Sequence, residues 1–195
     1  MEEYVPAEEE FFLRTAPRLA PRLLGCLLMR NTENGPVSGV IVETEAYTRD
    51  DPASHSFGGK SARNWPMFKG GGLAYVYLIY GVHNCFNVTS GHPGSGEAVL
   101  VRAVRPLEGI EQMRKNRGLH GLKNLCSGPG KLCQAFGIDR GHNGTSLLDG
   151  DIRLMVPAEE EKLDVAVSRR VGISRARELK RRFTLRDSPW LSRRV

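Results

Sequence analysis

The run LAYVYLIYGVHNCFNVTS, Leu73 to Ser90, constrains the fold more than any other segment of the chain. Small and branched side chains alternate with tyrosines as far as Leu78; Ile79 and Tyr80 then lead into Gly81, and alternation resumes from His83 with Cys85 and Asn87 set against Phe86 and Val88. Such a pattern is that of two antiparallel strands joined by a tight turn. Two registers are open. A two-residue turn at Gly81–Val82 places glycine at the first central position, pairs Tyr77 with Phe86 and sends Asn87 to the opposite face. A three-residue loop, Tyr80–Gly81–Val82, instead puts Tyr75 and Tyr77 on one face with Cys85 and Asn87, leaves Tyr80 at the tip, and carries strain at Val82.

A hairpin of this kind needs a larger sheet to cover it. Cys26–Met29, Val37–Glu45, Ala98–Val104, Ile152–Met155, Ala166–Val171 and Phe183–Leu185 have the apolar, β-branched and aromatic content of strands. Helices are expected at Glu8–Leu13, from near Pro21 to just before Gly25, over Pro106–Arg117, over Ser127–Phe136 and, as a basic helix, over Ser174–Arg182. The polar stretches Thr48–Gly72 and Asn116–Lys123 read as loops, and neither is long enough to require a domain break. Strands outnumber helices and the connections are mainly short. These features predict an α+β fold: a single domain over residues 1–195, with a curved antiparallel sheet, surrounding helices and a projecting β-hairpin.

Charge narrows the class of partner. The chain has a net charge of +6, with 28 Lys and Arg against 22 Asp and Glu. The surplus is not evenly spread: residues 1–60 carry six basic against ten acidic side chains, whereas from Arg169 onward there are ten basic against two acidic. A basic block of that density favours a polyanion, because each neutralised phosphate releases counterions. No apolar run is long enough to span a bilayer and the first residues are acidic where a secretory signal is basic, so no membrane association and a cytoplasmic location, nucleoid-associated in a prokaryote, are expected. Cys26, Cys85, Cys126 and Cys133 stand mostly alone among apolar neighbours and read as small buried thiols. Cys126 and Cys133 are too far apart for the cysteine pair of a zinc deaminase.

The segment VETEAY, Val42 to Tyr47, ends a strand with two carboxylates and an aromatic ring, then opens into the polar loop containing His55. Glu43 and Glu45 share a strand face, where like charges repel unless one is exposed, paired or partly protonated. GPGK, Gly128 to Lys131, is too short for a nucleotide-binding loop; its amides at a helix start suit either one phosphate or a tight packing turn.

Together these blocks resemble the alkyladenine, or methylpurine, DNA glycosylases. The resemblance runs through PRLLGCLL, VETEAY, HSFGG at His55–Gly59, ARN at Ala62–Asn64, YVYLIYG, AVLVRAVRPLEG at Ala98–Gly109, CSGPGKLCQAFGI at Cys126–Ile138, RVGI at Arg170–Ile173 and DSPWLS at Asp187–Ser192. It implies excision of alkylated purines such as 3-methyladenine from duplex DNA by a monofunctional enzyme, a monomer, with no cofactor and no catalytic metal. By the same resemblance Glu45 is the general base for a water, Arg102 and the Val171 carbonyl help hold that water, and Glu43 is a structural partner. Tyr47 and Tyr77 stack on the everted base, His55 contacts it from the remaining side, and Asn87 disfavours the amino group of guanine. Tyr80 enters the DNA as a wedge, whereas the position of His83 is one expected to vary. These roles favour the three-residue hairpin loop. A damage-binding protein without hydrolysis and a glycosylase/lyase using a lysine amine are the alternatives to be separated by assay.

Overall fold

The computed structural model describes residues 3–159 and 162–194. Among these, β-branched and aromatic runs form nine strands: β1 (Tyr4–Pro6), β2 (Leu27–Thr32), β3 (Gly35–Tyr47), β4 (Ala74–Ile79), β5 (His83–Ser90), β6 (Glu97–Glu108), β7 (Ile152–Pro157), β8 (Val165–Ser168) and β9 (Arg182–Leu185). Four helices accompany them: α1 (Glu9–Phe12), α2 (Ala16–Arg22), α3 (Ile110–Arg117) and α4 (Pro129–Phe136). The sheet runs β1-β7-β2-β3-β6-β5-β4, antiparallel in every pair, and β9 joins the far half of β3 with β8 outside it. Strands with helices packed around an antiparallel sheet make the expected α+β architecture. No helix among the described residues is long and apolar enough to cross a membrane.

Strand periodicity separates the core from the opposite face. Ala74, Val76, Phe86, Val88, Val99 and Val101 join the main apolar cluster with residues of α2, α3 and α4. Their alternating neighbours Tyr75, Tyr77, Cys85, Asn87, Ala98 and Leu100 face a cavity on the other side. The pairing Tyr75↔Asn87, Tyr77↔Cys85, Ile79↔His83 is the three-residue register. Each large apolar side chain held in the core contributes about 1.5–3 kcal/mol, so a one-residue slip exposing Phe86 and Val88 would forfeit roughly 3–6 kcal/mol. The strain falls elsewhere than expected. Val82 N–H donates to the Ile79 carbonyl at 3.2 Å, and the two residues so enclosed, Tyr80 (φ 52°) and Gly81 (φ 72°), both take positive φ. It is therefore the tip tyrosine, not Val82, that is in the left-handed region.

Several element boundaries differ from the sequence reading. The second helix starts at Ala16, with Pro17 in its first turn and Pro21 inside it. Starting there lets the Ala16 N–H reach the Glu97 carboxylate at 2.6 Å, a partner invisible in the local sequence. Pro106 to Glu108 extend β6 rather than open a helix, and α3 begins only after Gly109, whose φ of 70° makes the sharp corner. A Cβ at Gly109 would lie 2.6 Å from the Pro36 carbonyl, so the corner tolerates no side chain. Residues 174–182 form no helix; they are bends and turns leading into β9. Arg170, Arg181 and Arg182 at the two ends of that segment are drawn to Asp51 and Glu43, and tertiary ion pairing overrides the local helix propensity. For the same reason the basic block is only partly a surface feature, since Arg170 and Arg182 are buried. β8 ends at Ser168, leaving Val171 outside the ladder with its amide free for a side chain. All four cysteines are free and buried.

Candidate active site

The site is built where β3, β6 and the β4–β5 hairpin present the face away from the core. Two register shifts in the β3–β6 ladder, between Ile41 and Glu43 and between Glu43 and Thr44, leave Val42 on one strand and Arg102 on the other without a direct pairing partner. Bulges of this kind re-aim side chains. Here Arg102 reaches the two glutamates: Nε donates to Glu43 Oε1 at 2.9 Å and Nη1 to Glu45 Oε2 at 3.3 Å. The repulsion expected between these carboxylates is thus offset by a shared guanidinium. Burial works against the charge on Arg102, but Glu45 and Glu43 outweigh it and raise its pKa.

The two glutamates have separate surroundings. Glu43 Oε1 also accepts from Arg182 Nε at 2.8 Å and from the Ser192 hydroxyl at 2.8 Å, while Oε2 takes the Ser192 amide at 2.6 Å. Glu45 turns toward the cavity side. Its Oε1 accepts the Val171 amide at 2.7 Å and its Oε2 the Tyr47 hydroxyl at 2.9 Å. The carboxylate is 0% exposed, and it lies behind Tyr47, Arg102 and Val171, all three of which line the cavity. Val171 touches Glu45 through its N–H.

That cavity has a volume of about 560 Å³, within the range of small-molecule sites. Tyr47, His55, Tyr77, Asn87 and Tyr80 all border it together with Arg102 and Val171, and Glu45 lies directly behind, so the residues that the resemblance assigned to catalysis, base binding and the wedge gather at one concavity. His55 sits edge-on to Tyr77 with ring centroids 4.4 Å apart, and its Nδ1 is 2.7 Å from the Tyr75 hydroxyl. Packing against the tyrosines and, secondarily, the Arg63 charge push its pKa down to about 4, although His55 is an exposed residue; the imidazole is neutral near pH 7. Burial raises the Tyr47 and Tyr77 hydroxyls far above their usual range and Tyr75 to about 12, so all three remain hydrogen-bond donors. Asn87 is buried and its Nδ2 is fixed on the Tyr75 carbonyl at 2.9 Å. Tyr80 caps the hairpin, 83% exposed, beside Val82 at 69%. Pro129 and Gly130 close the cavity near His83, and a Cβ on Gly130 would stand 3.2 Å from that of His83; GPGK thus includes a tight packing turn.

Sequence reasoning missed residues whose only signal is a distant opposite charge or an aromatic face. Arg170 stood in the basic block and at the head of RVGI without a role, yet it is buried, pairs with both oxygens of Asp51, and lies over the Tyr47 ring at 4.6 Å. Arg63 stands over Tyr77 at 5.1 Å. Tyr75, noted in the hairpin without a role, anchors both His55 and Asn87. No group of three His, Cys, Asp or Glu side chains among the described residues converges as metal ligands.

Comparison with known proteins places the same blocks in a wider set. The model of the methylpurine-DNA glycosylase (MPG) family matches residues 10–189. A protein of Methanoculleus marisnigri is 48% identical over 187 residues, covering 94% of this chain and 97% of the relative. One of Rhodopseudomonas palustris (strain HaA2) is 44% identical over 187 residues, covering 96% and 90%. One of Francisella tularensis (strain SCHU S4) is 42% identical over 178 residues, covering 90% and 92%. Each of these relatives bears the name "Putative 3-methyladenine DNA glycosylase".

Proposed function

The chain belongs to the methylpurine-DNA glycosylase family, and from that membership we propose that it is a monomeric, monofunctional glycosylase that everts alkylated purines such as 3-methyladenine from duplex DNA and hydrolyses the N-glycosidic bond with a water activated by Glu45. The observation that carries this reading is the placement of Glu45 behind an aromatic cavity, held between Arg102 and the Val171 amide.

Eversion costs a few kcal/mol of stacking and pairing. Stacking on Tyr47 and Tyr77 returns roughly 1–3 kcal/mol per ring contact, so two walls balance the cost. Tyr80, at the exposed tip, fills the place the nucleotide leaves. A base alkylated at N3 or N7 is cationic; it stacks favourably on electron-rich rings, and the neutral His55 beside it adds no repulsion. The C1′–N bond then breaks with its electron pair going to the base, which leaves neutral, while positive charge grows on the sugar. Water adds to C1′ and its proton passes to Glu45, giving the abasic sugar. The Tyr47 hydroxyl and the Arg102 guanidinium both occupy Glu45 Oε2, whereas Oε1 accepts the Val171 amide and keeps a lone pair for the proton of the water, so Tyr47 stays in place as the base stacks on it. Asn87, fixed by Tyr75, presents a rigid edge against the exocyclic amino group of guanine.

The test is release of methylated bases from dimethyl-sulfate-treated duplex DNA, resolved by chromatography. Wild-type protein is expected to release 3-methyladenine, and Glu45→Gln to lose release by about 10²–10⁴-fold while still binding the DNA. A Glu45→Gln protein as active as wild type would refute the assignment of the base. Borohydride is expected to trap no protein–DNA adduct; a trapped adduct would show an amine nucleophile and a lyase step.

A further inference from the structure

We propose that Arg170 is a positioning residue for the excision step, a clamp that holds both the Tyr47 hydroxyl and the Val171 amide against Glu45. Arg170 follows β8 and is buried. Its guanidinium lies over the Tyr47 ring at 4.6 Å from the centroid. Nη1 donates to the Ala46 carbonyl at 3.0 Å, the peptide group that joins Ala46 to Tyr47. Both Nη1 and Nη2 engage the Asp51 carboxylate, the latter at 3.1 Å from Oδ1. Asp51 is itself anchored: it accepts from Arg181 Nη1 at 3.3 Å and from the Ala53 amide at 2.9 Å.

One planar group therefore fixes the end of β3, the loop after it and the segment carrying Val171. The consequence falls on Glu45. Of its three donors, Tyr47 is stacked against Arg170, and Val171 is the next residue along the chain. Only Arg102 is placed independently, by its bulge in β6. Tyr47 and Val171 line the cavity and Arg170 does not, so it acts on a bound nucleotide only through them. The ring stacked on one side by the guanidinium is a wall with restricted rotation. A shift of about 1 Å in a reacting group can cost on the order of 10²-fold in rate. Lysine cannot substitute, because it lacks both the planar fork and the stacking face.

This inference rests on the reading of Glu45 as the base, and the experiment keeps the two apart. Arg170→Met, Arg170→Lys and Glu45→Gln are prepared as full-length proteins. For each, the single-turnover release of methylated base is measured at saturating protein. The affinity for a duplex bearing a tetrahydrofuran abasic analogue, which has no base for Tyr47 to hold, is measured alongside. Release is expected to fall on the order of 10²-fold in Arg170→Met and at least about tenfold in Arg170→Lys, whose ammonium cannot make the bidentate contact. Affinity for the analogue should stay within about threefold, because Arg170 does not face the DNA directly. A structural or DNA-binding role would move rate and analogue affinity together, and that outcome overturns the clamp, as does wild-type release by Arg170→Lys. If Arg170→Met does not fold, Arg170→Lys together with Asp51→Asn, which keeps the stack and loosens the fork, decides it. Loss of release in Glu45→Gln with full release in Arg170→Lys rejects the clamp alone; full release in Glu45→Gln rejects the base.

Discussion

Replacing Glu43 by glutamine isolates what the inner half of the site contributes to stability. Glu43 is 0% exposed, as is Glu45, and Arg182 is 3% and Arg102 7% exposed. These four side chains form a balanced set of two negative and two positive charges, with Glu43 in contact with both arginines. Glutamine keeps the volume and removes one charge, leaving a buried cation in excess. Its amide nitrogen would also face a donor, either the Arg182 and Ser192 hydroxyl side or the Ser192 amide. Removing one member of a buried pair costs about 3–5 kcal/mol, much of it from the partner left uncompensated. For a domain of this size each kcal/mol lowers Tm by about 2–4 °C, so Glu43→Gln is expected to lower it by about 6–20 °C. Urea unfolding gives the free energy and calorimetry the Tm. In the double variant Glu43→Gln/Arg182→Met the charge balance returns, and the loss should be smaller than the sum of the two single losses. A loss below about 1 kcal/mol for Glu43→Gln, or strict additivity in the double variant, would show that the cluster is compensated by solvent and the reasoning is wrong.

Two further outcomes follow from the cavity. His55 has its folded pKa lowered to about 4, below the value of about 6.5 expected in the unfolded chain. The unfolded chain therefore takes up this proton first as pH falls, so the stability associated with His55 is fully present above about pH 6.5 and is lost progressively down to about pH 4. NMR titration of the imidazole should give a midpoint well under 6.5, and His55→Gln should flatten that part of the stability profile; a midpoint near 6.5 would contradict the packing against Tyr75 and Tyr77. Tyr80 is 83% exposed, so Tyr80→Ala should change stability by no more than about 0.5 kcal/mol. The same change should reduce release from a lesion-bearing duplex but not from the matching single strand, where there is no stack to prop open. Equal losses on both substrates would remove the wedge role.

How much of the site is legible in the chain depends on the range of the interaction involved. The hairpin, the alternation that sends Tyr75, Tyr77, Cys85 and Asn87 to one face, and the pairing of functional side chains with strand ends are local consequences of a period of two. They can be read without coordinates once a register is chosen. The register itself is decided by the core, since only one choice buries Phe86 and Val88. Helix starts were less legible: Ala16 is tied to Glu97 and the corner at Gly109 to Pro36, contacts separated by many residues. The supposed basic helix over residues 174–182 failed because three arginines around it answer to carboxylates in or just after β3.

The amino-acid order alone therefore determined the sheet-based class and the buried thiols, which composition and strand alternation encode, and the family, whose ordered motifs imply by resemblance the list of residues that gather at the cavity. Only the tertiary structure decided that Arg102 stands in a bulge between two carboxylates, that Glu45 is closed off by Tyr47 and the Val171 amide, and that Arg170 faces inward as a clamp instead of outward as surface charge. Electrostatic pairing acts through space and carries no sequence period. An arginine bound for solvent and one bound for a buried aspartate look the same until the chain brings the partner into reach.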